Sequence, residues 1–161
     1  MVLAAVMVSV SIYALGAAIL TGFGAVPAAL YLLFCLGAEI NVLYTSCVDC
    51  YYYGRQCAFG KGRIAPFLFK QGDPKRFSAK CMSWTDLVPD MLVLLIPFVG
   101  GSALLVREFS WTRAVMLAAL LVAAFRGNYL VRSRIACKYC KQRELGCPAE
   151  RFFSKQRPEQ Q

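Results

Sequence analysis

Four long apolar runs constrain this chain more than any other feature. They cover about residues 1–20, 27–44, 87–106 and 111–131, and the first carries no charged residue. An α-helix rises about 1.5 Å per residue, so each run approaches the length needed to cross the ~30 Å hydrocarbon core of a bilayer. The sequence therefore predicts four membrane-spanning helices.

Composition supports a membrane protein. Hydrophobic residues make up 58% of the 161 residues and charged residues only 17%. A soluble protein of this length must cover its surface with polar groups, whereas lipid covers the apolar faces of a membrane protein. We predict that the first run is a retained helix and not a cleaved signal peptide, because no basic region precedes it.

Two short connections set the predicted fold class. Gly- and Pro-containing residues 21–27 join the first two runs, and residues 107–113 join the last two. Connections this short favour antiparallel hairpins. The predicted fold is all-α, an integral membrane four-helix bundle of two helical hairpins related as a pseudo-repeat. Loops 45–84 and 132–153 would form a cysteine-rich cytoplasmic cap, and residues 154–161 a polar tail.

The distribution of charge predicts the orientation. The chain carries 18 Lys and Arg against 9 Asp and Glu, with seven basic residues between Arg55 and Lys80 and eight between Arg132 and Arg157. The two hairpin connections carry none and two. Cytoplasmic flanks of membrane helices are rich in Lys and Arg, so we expect a multi-pass protein of the cell (plasma) membrane with both termini and both cysteine-rich loops in the cytoplasm. Membrane lipid, and not nucleic acid, is the partner that these clusters indicate.

A cysteine pattern occurs twice, each time after an apolar run. It reads C-x2-C-x6-C and consists of Cys47, Cys50 and Cys57, and again of Cys137, Cys140 and Cys147. Two spans separate the triplets, so both are predicted on one side of the membrane. Of the two remaining cysteines, Cys35 lies mid-span as a small apolar side chain and Cys81 lies in the first loop.

Thiolate metal binding is the leading hypothesis for the triplets. The chain has no histidine, and a pair of C-x2-C segments is typical of a four-cysteine zinc site. Cys47, Cys50, Cys137 and Cys140 would close such a site, with Cys57, Cys147 and Cys81 as further candidate ligands. Gly54, Gly60 and Gly62 are expected to permit positive φ or close backbone approach beside it. The predicted role is structural or in assembly, with a protein partner or as a homo-oligomer.

Two other interpretations of the cysteines stay open. An iron–sulfur cluster held by one triplet would make this an electron-transfer protein; the Cys147-Pro148 step is like the one that ends ferredoxin motifs, although the spacing before it differs. A dithiol that cycles with a disulfide is also compatible with C-x-x-C. The sequence contains no catalytic motif, since it lacks a P-loop, a GxGxxG after a strand and any histidine, so enzymatic activity is undecided.

Four polar residues lie inside the apolar runs: Glu39, Asn41, Arg126 and Asn128. A charge there costs at least ~2.5–3.5 kcal/mol, which leads us to expect an ion pair between Glu39 and Arg126. One interpretation is a structural pair, with Arg126 reaching the headgroups. The other is a polar path in a small oligomeric transporter.

The segment from Gly127 to Phe153 contains CKYCKQRELGCPAE, and residues 47–54 read CVDCYYYG. In both segments the chain resembles a group of small uncharacterised prokaryotic membrane proteins with CxxCYYYG and CKYCKQRE-GCPAE segments. The resemblance covers most of the chain. It implies that the two cysteine triplets belong to one site.

Overall fold

A computed structural model describes residues 2–79, 84–131 and 140–141. Within these ranges the chain is helical throughout its regular structure and contains no β-strand. The helices are α1 (Val2–Leu20), α2 (Ala25–Val42), α3 (Lys61–Leu68), α4 (Pro74–Ala79), α5 (Trp84–Arg107) and α6 (Trp111–Val122). A 3-10 turn, Thr21–Phe23, follows α1. A π turn, Leu43–Cys47, extends α2, and a second π turn, Ala123–Gly127, extends α6 into the short helix Asn128–Leu130.

Four helical stretches are long and apolar enough to cross a membrane. They are Val2–Phe23, Ala25–Cys47, Val88–Arg107 and Trp111–Leu130, and their bounds fall within a few residues of the predicted runs. Large apolar side chains point away from the protein along them; Leu33, for example, is 65% exposed. A helix satisfies its own backbone hydrogen bonds, so such faces suit lipid. The all-helical architecture expected from the sequence is therefore confirmed for the described residues, and its four long apolar helices are consistent with a multi-pass membrane protein.

Helix α1 is the centre of the bundle, because it packs against α2, α5 and α6. The core joins Ile12 and Ile19 of α1 to Tyr31 of α2 and Leu120 of α6. Two glycines of α5 allow close packing on α1. A Cβ on Gly101 would lie 2.9 Å from Ile19 Cγ2, closer than side chains tolerate.

One buried hydrogen bond crosses this core between hairpins. Tyr31 Oη donates to the carbonyl of Val93 at 2.8 Å. A buried hydroxyl needs such a partner, and here the bond fixes α2 against α5. The spanning helices thus pack through small residues and an interhelical hydrogen bond.

Both hairpins form as predicted. Gly24 links α1 to α2 with φ of 121°, a conformation that glycine adopts most readily, and three residues separate α5 from α6. The first cysteine-rich loop lies at the other end of the bundle. There, Ala58 and Phe59 pack against Ala5 near the start of α1 and against Val131 beyond α6.

Candidate metal centre

The first triplet begins where the second span ends. The π turn Leu43–Cys47 ends at Cys47, and the chain makes turns directly after it. The amide of Cys50 donates to the carbonyl of Cys47 at 3.3 Å, and the amide of Tyr53 donates to the carbonyl of Cys50 at 3.0 Å. Local backbone bonds therefore fold the C-x2-C segment tightly. Single π turns often occur at functional sites.

Cys57 lies in a second turned segment and accepts a backbone hydrogen bond at sulfur. The amide of Gly60 donates to the carbonyl of Cys57 at 3.0 Å, and the amide of Gly62 donates to Cys57 Sγ at 3.3 Å. An N–H aimed at sulfur favours the charged thiolate, the form that binds metals. The loop thus directs one backbone N–H at a cysteine sulfur.

The glycines of this loop have the roles that the sequence predicts. Gly54 and Gly60 both have φ of 74°, in the left-handed region. Gly62 allows close approach instead: a Cβ there would clash with the carbonyl oxygens of Tyr52 and Arg55. The amide of Gly54 donates to the carbonyl of Gly62 at 2.9 Å, closing residues 54–62 into a ring.

The three cysteines of the first triplet are neighbours. They lie within eleven residues of one another in the loop after the second span, and each is half-buried. In the part of the chain that the structure describes, however, no three Cys, Asp or Glu side chains converge as one metal ion would require. Of the seven candidate ligands, Cys81, Cys137 and Cys147 lie outside the described residues.

Cys140 is the member of the second triplet that the structure describes. Its neighbour Lys141 contacts the first loop. The amide of Lys141 donates to Tyr52 Oη at 3.0 Å. Its ammonium group lies 5.6 Å from the centre of the Tyr51 ring, in cation–π contact. These contacts join segments 89 residues apart. The structure therefore brings part of the second triplet segment beside the first.

A cluster of polar groups lies beneath this loop, inside the second span. Glu39 accepts a hydrogen bond from Tyr13 Oη at 2.5 Å, and its other oxygen lies 2.5 Å from Lys61 Nζ. The side chains of Glu39 and Lys61 are each 26% exposed. An intramembrane carboxylate is thus neutralised by a lysine that reaches down from the cysteine-rich loop.

The predicted ion pair between Glu39 and Arg126 is wrong. Lys61 and Tyr13 occupy the carboxylate, and Arg126 is exposed on the π turn after α6. The physical reason is that Lys61 approaches from the end of the bundle, where a long side chain keeps its ammonium group near water. Asn41 is exposed, with its carbonyl accepting from Thr45 Oγ1, and Asn128 is half-buried.

Sequence reasoning misses Lys61 and Tyr13. In the sequence Lys61 is one of the basic residues flanking the membrane, and Tyr13 is part of an apolar run. The available signal is the need of Glu39 for a cation and a donor. The sequence offers several side chains that could meet this need, and only the folded path of the loop shows that Lys61 does so.

Comparison with protein-family models, curated proteins and solved structures finds no match for the chain. The chemistry and placement of its own residues are therefore what bear on its function. Those residues are thiols and basic groups gathered at one end of a helical membrane bundle.

Proposed function

We propose that this is an integral membrane metal-binding protein whose two C-x2-C-x6-C segments form one zinc site with a structural or assembly role. The observation that carries the proposal is the contact of Lys141 with Tyr51 and Tyr52, which brings Cys140 to the loop of Cys47, Cys50 and Cys57. Zinc bound by thiolates would fasten the ends of the two hairpins to each other.

The ligand set comes from both triplets: Cys47, Cys50, Cys57, Cys137, Cys140 and Cys147, with Cys81 as a further candidate. Four thiolates complete a tetrahedral zinc site, so some of these cysteines are reserve or accessory groups. The N–H bond to Cys57 Sγ supports a place for Cys57 among the ligands. Backbone amides and nearby lysines offset the negative charge that such a site accumulates.

The site belongs on the cytoplasmic side of the cell membrane, together with both termini. The basic residues beside both triplets support this orientation, and a reducing cytoplasm keeps thiols available for metal. Once zinc has been removed with a chelator, a thiol reagent that cannot cross membranes should leave Cys57 unlabelled in intact cells and label it after permeabilisation. Equally strong labelling of Cys57 before and after permeabilisation would mean that the loop lies on the outer side of the membrane.

An iron–sulfur centre for electron transfer is the second candidate. Backbone N–H groups directed at sulfur, as from Gly62 to Cys57, are also the groups that adjust cluster potentials. Absorption separates the two candidates, since zinc is colourless and iron–sulfur clusters absorb broadly in the visible.

Elemental analysis of anaerobically purified protein in detergent tests the proposal. We expect about one zinc per chain, bound with its ligands at about 2.3 Å. Cys50→Ser and Cys140→Ser should each lose the metal. Cys35→Ser is the matched control, because Cys35 is buried in the membrane core away from the loop, and it should retain the metal.

Three outcomes count against zinc. Iron with equimolar sulfide would establish the electron-transfer alternative. A metal-free, fully reduced preparation from cells grown with both metals would leave only dithiol chemistry. Metal retained by Cys140→Ser but lost by Cys50→Ser would mean that the second triplet does not share the site.

A further inference from the structure

We infer that helix α3 is an anchor for anionic phospholipids of the adjacent leaflet. In this assignment Ile64, Phe67 and Leu68 insert among the headgroups, while Arg63 and Lys70 meet the lipid phosphates. The inference does not rest on metal binding by the cysteines.

Helix α3 presents its large apolar side chains outward. Its protein-facing positions are small, with Gly62 buried and Ala65 fully buried against the loop and the end of α2. By contrast Phe67 is 86% exposed, Leu68 54% and Ile64 51%. A helix of a soluble cap would turn such residues inward. This face therefore requires a cover from outside the bundle.

The position of α3 beside the last turns of the second span identifies lipid as what covers this face. At its start, Lys61 reaches Glu39, which lies eight residues before the end of the span at Cys47 and so about 12 Å along the helix axis. Directly after α3, the Phe69 ring lies 5.4 Å from that of Tyr44, in the last turn of the span. Both ends of α3 are thus held beside the final turns of a membrane helix.

Tyrosines strengthen this placement. Tyr53 Oη donates to the carbonyl of Phe69 at 2.7 Å, which fixes the end of α3 to the aromatic segment of residues 51–53. Tyrosine favours the headgroup layer, where its ring is apolar and its hydroxyl is wet. Helix α3 therefore lies in the plane of the interface, as amphipathic interfacial helices do.

The charge around α3 selects the headgroup. Between Arg55 and Lys80 the chain has seven basic residues and one acidic residue, Asp73. Arg63 and Lys70 flank the apolar face and are both exposed. Basic residues at the surface of a leaflet attract anionic lipids and give zwitterionic lipids no such advantage.

Fluorescence quenching by brominated lipid tests the inference on the full chain in bilayers. The reporter carries Phe67→Trp with Trp84→Phe and Trp111→Phe, so that a single indole reports on α3. We expect blue-shifted emission, quenched by brominated phosphatidylcholine and more strongly by brominated phosphatidylglycerol.

Charge variants of the reporter test the headgroup preference. Arg63→Gln with Lys70→Gln should reduce the phosphatidylglycerol preference, by up to about fivefold for each charge removed. The matched control removes Arg107 and Arg113, two basic residues at the other end of the bundle, and should leave the preference unchanged.

Several results would overturn the inference. Emission typical of water, without quenching, would place α3 in the cytoplasm. An indole shielded from water yet unquenched by lipid would mean that protein covers the face, from a second copy or a partner. Equal quenching by both lipids would refute the headgroup preference. Should the reporter fail to fold, thermal unfolding of the wild-type chain decides: phosphatidylglycerol should stabilise it more than phosphatidylcholine, and equal stabilisation would refute the preference.

Discussion

Replacing Glu39 by glutamine should weaken the fold measurably, because it removes the negative charge from a half-buried ion pair. Glu39 and Lys61 are both 26% exposed, so each has lost most of its hydration. Exposed pairs contribute about 0.2–1 kcal/mol, whereas breaking a fully buried pair costs about 3–5 kcal/mol. An intermediate loss of about 2 kcal/mol is expected, since the introduced amide still accepts the bond from Tyr13 but leaves Lys61 without a counter-charge.

The pair is best measured with a double-mutant cycle. Glu39→Gln and Lys61→Met should each destabilise the protein, and the combined variant should lose less than the sum, with a coupling of about 1–2 kcal/mol. Reversible unfolding of the detergent-solubilised protein in mixed micelles, followed by far-UV circular dichroism, gives the free energies of unfolding.

Arg126→Gln is the matched control for this cycle. Arg126 is an exposed cation also near the end of its span, and the structure predicts no coupling to Glu39. Coupling between Glu39 and Arg126 that equals or exceeds the coupling with Lys61 would refute the arrangement described here. Additive effects of Glu39→Gln and Lys61→Met would show that the 2.5 Å contact does not stabilise the protein.

Two further predictions concern packing and hydrogen bonding, and a third concerns the proposed metal site. Gly62→Ala should destabilise the loop by about 1–3 kcal/mol, because the added Cβ would clash with the Tyr52 carbonyl. Gly37→Ala is the control: no atom lies within 4 Å of a Cβ there, so this variant should be neutral or slightly stabilising. Thermal unfolding of both variants checks this. Tyr31→Phe should cost about 1–3 kcal/mol, because it leaves the Val93 carbonyl without its buried donor, and an unchanged unfolding midpoint would contradict this. Treatment with a zinc chelator should raise amide hydrogen exchange in residues 47–62 but not in the spanning helices. An equal increase in exchange along the whole chain would argue against a local metal site.

The spanning helices were predictable because hydrophobicity acts locally. Each apolar run is long enough by itself to cross a bilayer, so the bounds of α1, α2, α5 and α6 follow from composition along the chain. The roles of Gly54 and Gly60 were predictable for a similar reason, since positive φ is a preference of the single residue.

The contacts of the polar groups were not predictable, because they depend on the path of a loop. Sequence position puts Glu39 and Arg126 at similar depths and suggests a pair, but the loop after Cys57 turns back over the bundle and brings Lys61 to Glu39 first. From the sequence alone, the apolar segment of residues 64–69 could face either the cysteines or lipid. Only the burial of Gly62 and Ala65 shows which side faces protein.

The packing of Phe59 against Ala5 and Val131 has a consequence for biogenesis. Ala5 is made before the loop and Val131 more than seventy residues after Phe59, so the loop cannot reach its final position while the chain is still short. Until the fourth helix has been inserted, the cluster against which Phe59 packs lacks Val131. The first cysteine-rich segment is therefore completed only after the fourth helix has been made, and a chain truncated before Val131 would leave that segment unfinished even though all of its own residues were present.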